Sequence, residues 1–232
     1  WSPDGEWISF FSDVSGNYDL YIMPSDRSGE PRRLAAGEEV WMDDVRWSPD
    51  SRWVAWSDNM NRLRAMEIST ERLVEVDGTG TGPLNDYSWS DDSRWIAYSK
   101  NSPNTVSAIW LYSFESGERT QVTDDMSDDS SPAFDPEGRF LYFVSARDFQ
   151  FNFGGGSEFS SRIYAATLQR DFGHPFPPRS DEEPAVVGED EESGPGAEAS
   201  GQESEVLRID LEGLGDRVMP LPEVNPGSYQ AL

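Results

Sequence analysis

Trp47 Ser48 Pro49 Asp50 Ser51 Arg52 Trp53 Val54 Ala55 Trp56 is one copy of an element that this chain repeats. It stands earlier as Trp1 Ser2 Pro3 Asp4 Gly5 Glu6 Trp7 Ile8 Ser9 Phe10 and later as Trp89 Ser90 Asp91 Asp92 Ser93 Arg94 Trp95 Ile96 Ala97 Tyr98. A looser copy runs Phe134 Asp135 Pro136 Glu137 Gly138 Arg139 Phe140 Leu141 Tyr142 Phe143, and the intervals are 46, 42 and 45 residues. Within each copy, Pro, Asp, Gly and Ser sit between aromatic and β-branched runs, which is the pattern of a tight turn joining two antiparallel strands. Repeats of about 40 to 50 residues made of short strands imply four-stranded blades, so the chain reads as an all-β propeller.

Each unit supplies further strands outside its hairpin. Tyr18, Leu20, Tyr21, Ile22 and Met23 read as the third strand of the first blade, with Pro31 to Leu34 as its outer fourth. Ile109 to Tyr112 and Arg119 to Val122 are their counterparts in the third. The spacing divides the chain into blades at about 1–40, 41–80, 81–125 and 126–222, with 223–232 starting another. Four blades are fewer than a closed ring usually takes. The chain also opens at Trp1 with no initiator methionine or signal-like segment, and so reads as a sector cut at both ends from something longer. Trp7, Trp53, Trp95 and Phe140, with Trp1, Trp47, Trp89, Phe134 and the turn acids Asp4, Asp50 and Asp92, form the structural blade motif. Large aromatics at these positions are expected to pack blade against blade rather than to stack on a ligand.

The last unit departs from the pattern. Arg162 to Leu168 reads as its third strand, and Val206 to Leu211 and Val218 to Leu221 as extended segments that complete it. Between them, residues 169–205 hold 11 acids and 2 arginines among Pro, Gly, Ser and Ala. Such a stretch has too little apolar surface to offset the entropy of ordering, so a mobile acidic excursion is expected.

Composition narrows the function. The 232 residues carry 44 acidic and 18 basic side chains, a formal charge of -26. That charge excludes binding to a phosphate backbone and opposes adsorption to anionic lipid, so neither nucleic acid nor membrane is an expected partner. There is no apolar run of membrane-spanning length. Cysteine is absent and His174 is the only histidine, which removes thiol nucleophiles, thiolate metal sites and most triad chemistry. No catalytic, cofactor-binding or metal-binding residue is assigned. His174, in a Pro- and Gly-containing loop, reads as solvated. Asp124, Asp125, Asp128 and Asp129 offer oxygen ligands but lack the glycine and terminal glutamate of a calcium loop, so they read as turn and strand-end acids. Ser130 and Ser131 carry no nucleophile signal. Arg32 and Arg33 are the adjacent basic pair, either holding a peptide carboxylate or, as favoured, lying exposed on an outer strand. Lys100 is the sole lysine, and an acid-rich, lysine-poor composition is consistent with adaptation to salt.

The tandem hairpins are shared by many propellers, among them TolB-like interaction scaffolds and the propellers of prolyl oligopeptidase relatives. The longer pattern is more specific. Ile109 Trp110 Leu111 Tyr112, Gln121 Val122 Thr123 Asp124 Asp125 Met126 Ser127 Asp128 Asp129, Ser145 Ala146 Arg147 Asp148, Arg208 Ile209 Asp210 Leu211 Glu212 Gly213 and Arg217 Val218 Met219 Pro220 Leu221 Pro222 resemble the second propeller of bacterial tricorn proteases. The resemblance covers nearly the whole chain. It implies a cytoplasmic, hexameric serine peptidase as parent, in which a propeller without catalytic residues or cofactor gates oligopeptides toward a protease core elsewhere. A scaffold with no linked enzyme, or the propeller of an oligopeptidase, is the alternative.

Overall fold

A computed structural model of the chain describes residues 1–16, 18–34, 41–78, 81–147, 149–151, 157–159, 161–172, 206–222, 224 and 229. The first sheet is β1 (Trp7–Ser12), β2 (Asp19–Pro24) and β3 (Arg32–Arg33), in that order. The second has four strands in chain order: β4 (Met42–Trp47), β5 (Trp53–Asp58), β6 (Arg62–Glu67) and β7 (Leu73–Gly78). The third repeats this with β8 (Tyr87–Trp89), β9 (Trp95–Asn101), β10 (Ser107–Ser113) and β11 (Arg119–Gln121). In the fourth, β12 (Asp129–Phe134) and β13 (Phe140–Ser145) are followed by a separate two-stranded ribbon of β14 (Phe149–Phe151) and β15 (Ser157–Phe159). The sheet resumes with β16 (Arg162–Thr167) and closes with β17 (Val218–Pro220) after a short 3-10 turn, Gly215–Arg217. All pairings are antiparallel.

Strand alternation explains why these sheets stack. Successive side chains of a strand point to opposite faces. In β5, Val54 and Trp56 bury with Leu20 and Ile22 of the first sheet, whereas Trp53 and Ala55 bury with Tyr87, Ile96 and Tyr98 of the third. In β9, Ile96 and Tyr98 face back to the second sheet, and Ala97 with Trp95 faces Leu141, Phe143 and Tyr164 of the fourth. Because both faces are covered, the second strands are apolar throughout rather than alternating. Among the described residues the core is therefore three apolar layers, one at each joint, and the chain is a β-propeller of antiparallel sheets, four-stranded from the second sheet to the fourth.

Of the two extended segments expected to complete the last sheet, one enters it as a strand. Residues 206–210 join no ladder; only Val218–Pro220 pairs with β16. Instead the segment bridges two sheets: the Leu207 N–H donates to Asp92 Oδ2 of the third at 2.9 Å, and the Asp210 N–H to the Leu168 carbonyl just beyond β16 at 2.9 Å. Leu207, Ile209 and Leu211 pack into the layer between the third and fourth sheets. An alternating apolar pattern signals burial of one side, and burial against a joint satisfies it as well as a ladder does. The acidic stretch 173–205 and the start of a further blade at 223–232 lie almost wholly outside the described residues.

Candidate functional site

The repeated hairpin is a self-contained hydrogen-bonded unit. Ser48 Oγ donates to Asp50 Oδ1 at 2.6 Å and accepts the Trp53 N–H at 2.9 Å, while Asp50 Oδ1 accepts the Arg52 N–H at 3.0 Å. Ser90, Asp92, Trp95 and Arg94 repeat this set, as do Ser2, Asp4, Trp7 and Glu6. Hydrogen bonding is the leading cause that lowers the Asp4 carboxyl below its usual range. In the fourth copy Asp135 replaces the serine, and its carboxylate accepts the Arg139 N–H. The fifth residue of each copy, Gly5, Ser51, Ser93 or Gly138, has φ between 60° and 75°. Serine is an unexpected occupant of that conformation. The reason lies across the joint, since Ser51 Oγ accepts the Asp4 N–H and Ser93 Oγ the Asp50 N–H, each at 3.0 Å.

The motif aromatics continue these joints. Trp7 packs on the layer between the first two sheets, Trp53 lies 4.7 Å from the Phe114 ring, and Trp95 packs beside Leu141 and Phe143. Phe140 instead neighbours Tyr142 and the Arg139 guanidinium. Trp47 Nε1 donates to Ser9 Oγ at 3.0 Å, and Trp89 stacks on Phe114. Phe134 packs on the layer at the third joint, and Trp1 is exposed.

The first strands form a polar inner edge. Asp44, Asp86 and Ser131 each stand three residues before the hairpin aromatic, and β4 and β12 shift register there, with Asp44 at φ 50° and Ser131 at φ 54°. Ser131 N–H donates to Asp86 Oδ2 at 2.7 Å. Arg46 donates to the Tyr87 carbonyl and lies over the Tyr87 ring, 4.7 Å from its centroid. The single Tyr87 hydroxyl proton is shared between the Ala55 and Asp44 carbonyls; burial pushes its pKa well up and keeps it a donor. Asp43 and Arg46 are exposed. The signal that could have found these residues was their constant offset from the motif aromatic.

At the other end of the second strands, carboxylates are buried with cations. Arg33 reaches Asp19 at 2.7 Å, Arg62 reaches Asp58 at 2.8 Å, Lys100 reaches Asp77 at 2.8 Å, and Arg147 reaches Asp129 at 3.0 Å. Such pairs hold geometry more than they add net stability. Arg32 and Arg33 are therefore not a free exposed pair: Arg32 crosses to Glu71 and the Ile68 carbonyl of the second sheet. The four aspartates 124, 125, 128 and 129 are not brought together. Asp129 is fully buried on Arg147, Asp128 accepts the Ser107 N–H, the Asp125 carbonyl accepts from Asn104, and Asp124 accepts the Met126 N–H. Among the described residues no three His, Cys, Asp or Glu side chains converge to hold a metal. Ser130 has no histidine beside it among the described residues, and His174 lies outside them. Open grooves also occur among the described residues. One of about 560 Å³ is lined by Arg52, Arg72, Arg94 and Phe114, and another of about 590 Å³ by Asp124, Asp125, Arg147 and Asp216.

Residues 1–232 match the family described as the tricorn protease second beta propeller domain. The chain is 29% identical to tricorn protease homolog 1 of Streptomyces coelicolor, over 99% of this chain and 22% of that protein. It is 28% identical to the uncharacterized peptidase YuxL of Bacillus subtilis, over 62% of this chain and 20% of that one. The crystal structure of the tricorn protease superposes with a TM-score of 0.72 at 20% identity, covering 97% of this chain and 21% of the other. The chain thus spans about a fifth of the length of the relatives it matches.

Proposed function

Since this chain belongs to the tricorn protease second β-propeller family, we propose that it serves as a gating wall that conducts oligopeptides to a serine-type protease core outside it. The chain is a propeller and not a catalytic domain. The observation that carries the reading is the division of its surfaces. The broad faces of the second and third sheets are consumed by apolar layers, which leaves the inner edge, with exposed Asp43 and Arg46 and the Asp86 and Ser131 pair, as the polar lining. Polar edges let peptides pass without a deep apolar trap. In this reading the blades are residues 1–40, 41–80, 81–125 and 126–222, with 223–232 entering the next, and the motif residues act structurally. Peptides, further blades, the protease core and like subunits of a cytoplasmic homo-hexamer are the partners.

A plug on the inner edge tests it. Asn85, exposed at the approach to β8, becomes Asn85→Cys, and a bulky maleimide is attached in the intact gene product, with the identically treated parent protein as the control for labelling elsewhere. Hydrolysis of long oligopeptides should slow while di- and tripeptides are spared. Equal rates with and without the plug would sink the proposal.

A further inference from the structure

The end of the propeller opposite the Ser–Asp hairpins carries an aromatic ladder at the first joint. Phe11, in β1, stacks on Tyr18 at 5.4 Å and 17°, and Tyr18 stacks on Trp41 at 5.7 Å and 27°. Phe11 is partly packed on the layer between the first and second sheets, but Tyr18 is 43% exposed and Trp41 68%. Trp41 immediately precedes the inner strand β4, and its position is set by the backbone: its N–H donates to Asn59 Oδ1 at 3.1 Å and its carbonyl accepts the Asn59 N–H at 2.9 Å. Two further apolar side chains stand exposed on the adjoining turns, Val14 between β1 and β2 and Met60 between β5 and β6. Exposed aromatics gathered at one place on a soluble surface mark an interaction site more often than scattered ones do.

The charge around the ladder decides what fits it. Asp13 lies exposed in the connection between Phe11 and Tyr18, and Asp43 lies exposed on β4, two residues beyond Trp41. The arginines in and beside these strands are already paired: Arg33 of β3 with Asp19, Arg62 of β6 with Asp58, and Arg46, exposed on β4, with Asp44. An aromatic face flanked by carboxylates favours a cation, through the ring quadrupole and Coulomb attraction together.

We propose that the Phe11, Tyr18 and Trp41 ladder with Asp13 and Asp43 captures arginine or lysine side chains of extended peptides at the mouth of the inner edge, so that cationic oligopeptides are the favoured substrate class. The inference rests on the reading of the chain as a peptide-handling propeller. It adds a residue preference that the inner edge alone does not impose.

The test is fluorescence anisotropy with the intact gene product and labelled, backbone N-methylated peptides that resist cleavage, identical except for arginine, glutamine or glutamate at one central position. The arginine peptide should bind best and the glutamate peptide worst, and added KCl should weaken the preference. Trp41→Ala should lower affinity for the arginine peptide about two- to fivefold, the range expected of an exposed cation–π contact. Tyr18→Phe, which keeps the ring, should retain binding, and Asp43→Asn should reduce the salt sensitivity. Equal binding of the three peptides, or full arginine preference in a folded Trp41→Ala protein, overturns the proposal. Loss of self-association rather than of peptide binding in Trp41→Ala also overturns it. The outcome separates from that of the plug experiment. A plug effect without arginine preference leaves the conduit standing and removes the ladder; arginine preference without a plug effect does the reverse.

Discussion

A β-carbon placed on Gly138 would lie 2.8 Å from Cδ1 of Leu207. At the two preceding joints the corresponding residues, Ser51 and Ser93, carry a hydroxyl that accepts a backbone N–H from the neighbouring sheet. Glycine cannot do this. At the third joint Leu207 occupies the space and its own N–H is bonded to Asp92 Oδ2, so a segment from beyond the acidic stretch takes over the clamp.

Gly138→Ala should therefore destabilise the fold by about 2 kcal/mol, from the left-handed conformation and the crowded Leu207 combined. In a Leu207→Ala background the same change should cost less, since only the backbone contribution remains. Denaturant unfolding of the four proteins measures the coupling, and strictly additive effects would refute the contact.

Ser51 separates strain from hydrogen bonding. Its φ of 60° is unfavourable for serine, yet its Oγ accepts the Asp4 N–H. Ser51→Ala keeps the strain and loses the acceptor, so a loss of about 1 kcal/mol is expected. Ser51→Gly loses the acceptor and relieves the strain, and should be the milder change in thermal melts.

Ser48 is fully buried and serves both halves of its hairpin. Ser48→Ala leaves the Trp53 N–H without that acceptor and should cost about 1–3 kcal/mol. Melting indistinguishable from the parent would show that the hairpin does not need its hydroxyl.

Asp129 gives a pH dependence of unusual sign. Burial raises its carboxyl pKa, while hydrogen bonds from Ser145 and Thr123 and the Arg147 guanidinium pull it down. A carboxyl whose pKa is raised by folding binds its proton more tightly in the folded state, so its contribution is fully present below the unfolded pKa and is lost as pH rises through the folded one. Asp129→Asn has no such titration. Its stability deficit relative to the parent should shrink as pH rises from the usual carboxylate range toward neutrality, read by urea unfolding at several pH values. A deficit that grows with pH would reverse the assignment.

Salt should stabilise the whole chain. With 44 acidic and 18 basic residues, self-repulsion opposes compaction and is screened within about 3 Å at 1 M salt. The unfolding midpoint should rise from dilute buffer to molar KCl, and a midpoint that stays level or falls rejects adaptation to salt.

The legible part of the fold was the local part. Trp53 Val54 Ala55 Trp56 and Trp95 Ile96 Ala97 Tyr98 read as strands because both their faces are buried, and the turns between strands read from Pro, Asp, Ser and Gly at fixed offsets. Residues 206–211 misled because their apolar alternation reports burial without naming the partner surface. Arg32 and Arg33 misled for a related reason, since nothing local reveals that Glu71 and the Ile68 carbonyl of the next sheet lie within reach. Asp129 read as a turn or strand-end acid and does open β12, but its burial on Arg147 was not legible, because burial depends on what stacks above it.

By itself, the sequence determined the hairpin. Its hydrogen bonds join residues two to five positions apart, from Ser48 to Asp50 and to Trp53, and so are encoded wherever the motif is written. Only the tertiary structure decided which hairpins meet, where Leu207 replaces a serine hydroxyl, and that Phe11, Tyr18 and Trp41 line up as one exposed ladder. Those partners are brought together by the stacking of twisted sheets, whose offsets arise from packing both faces at once rather than from any one strand.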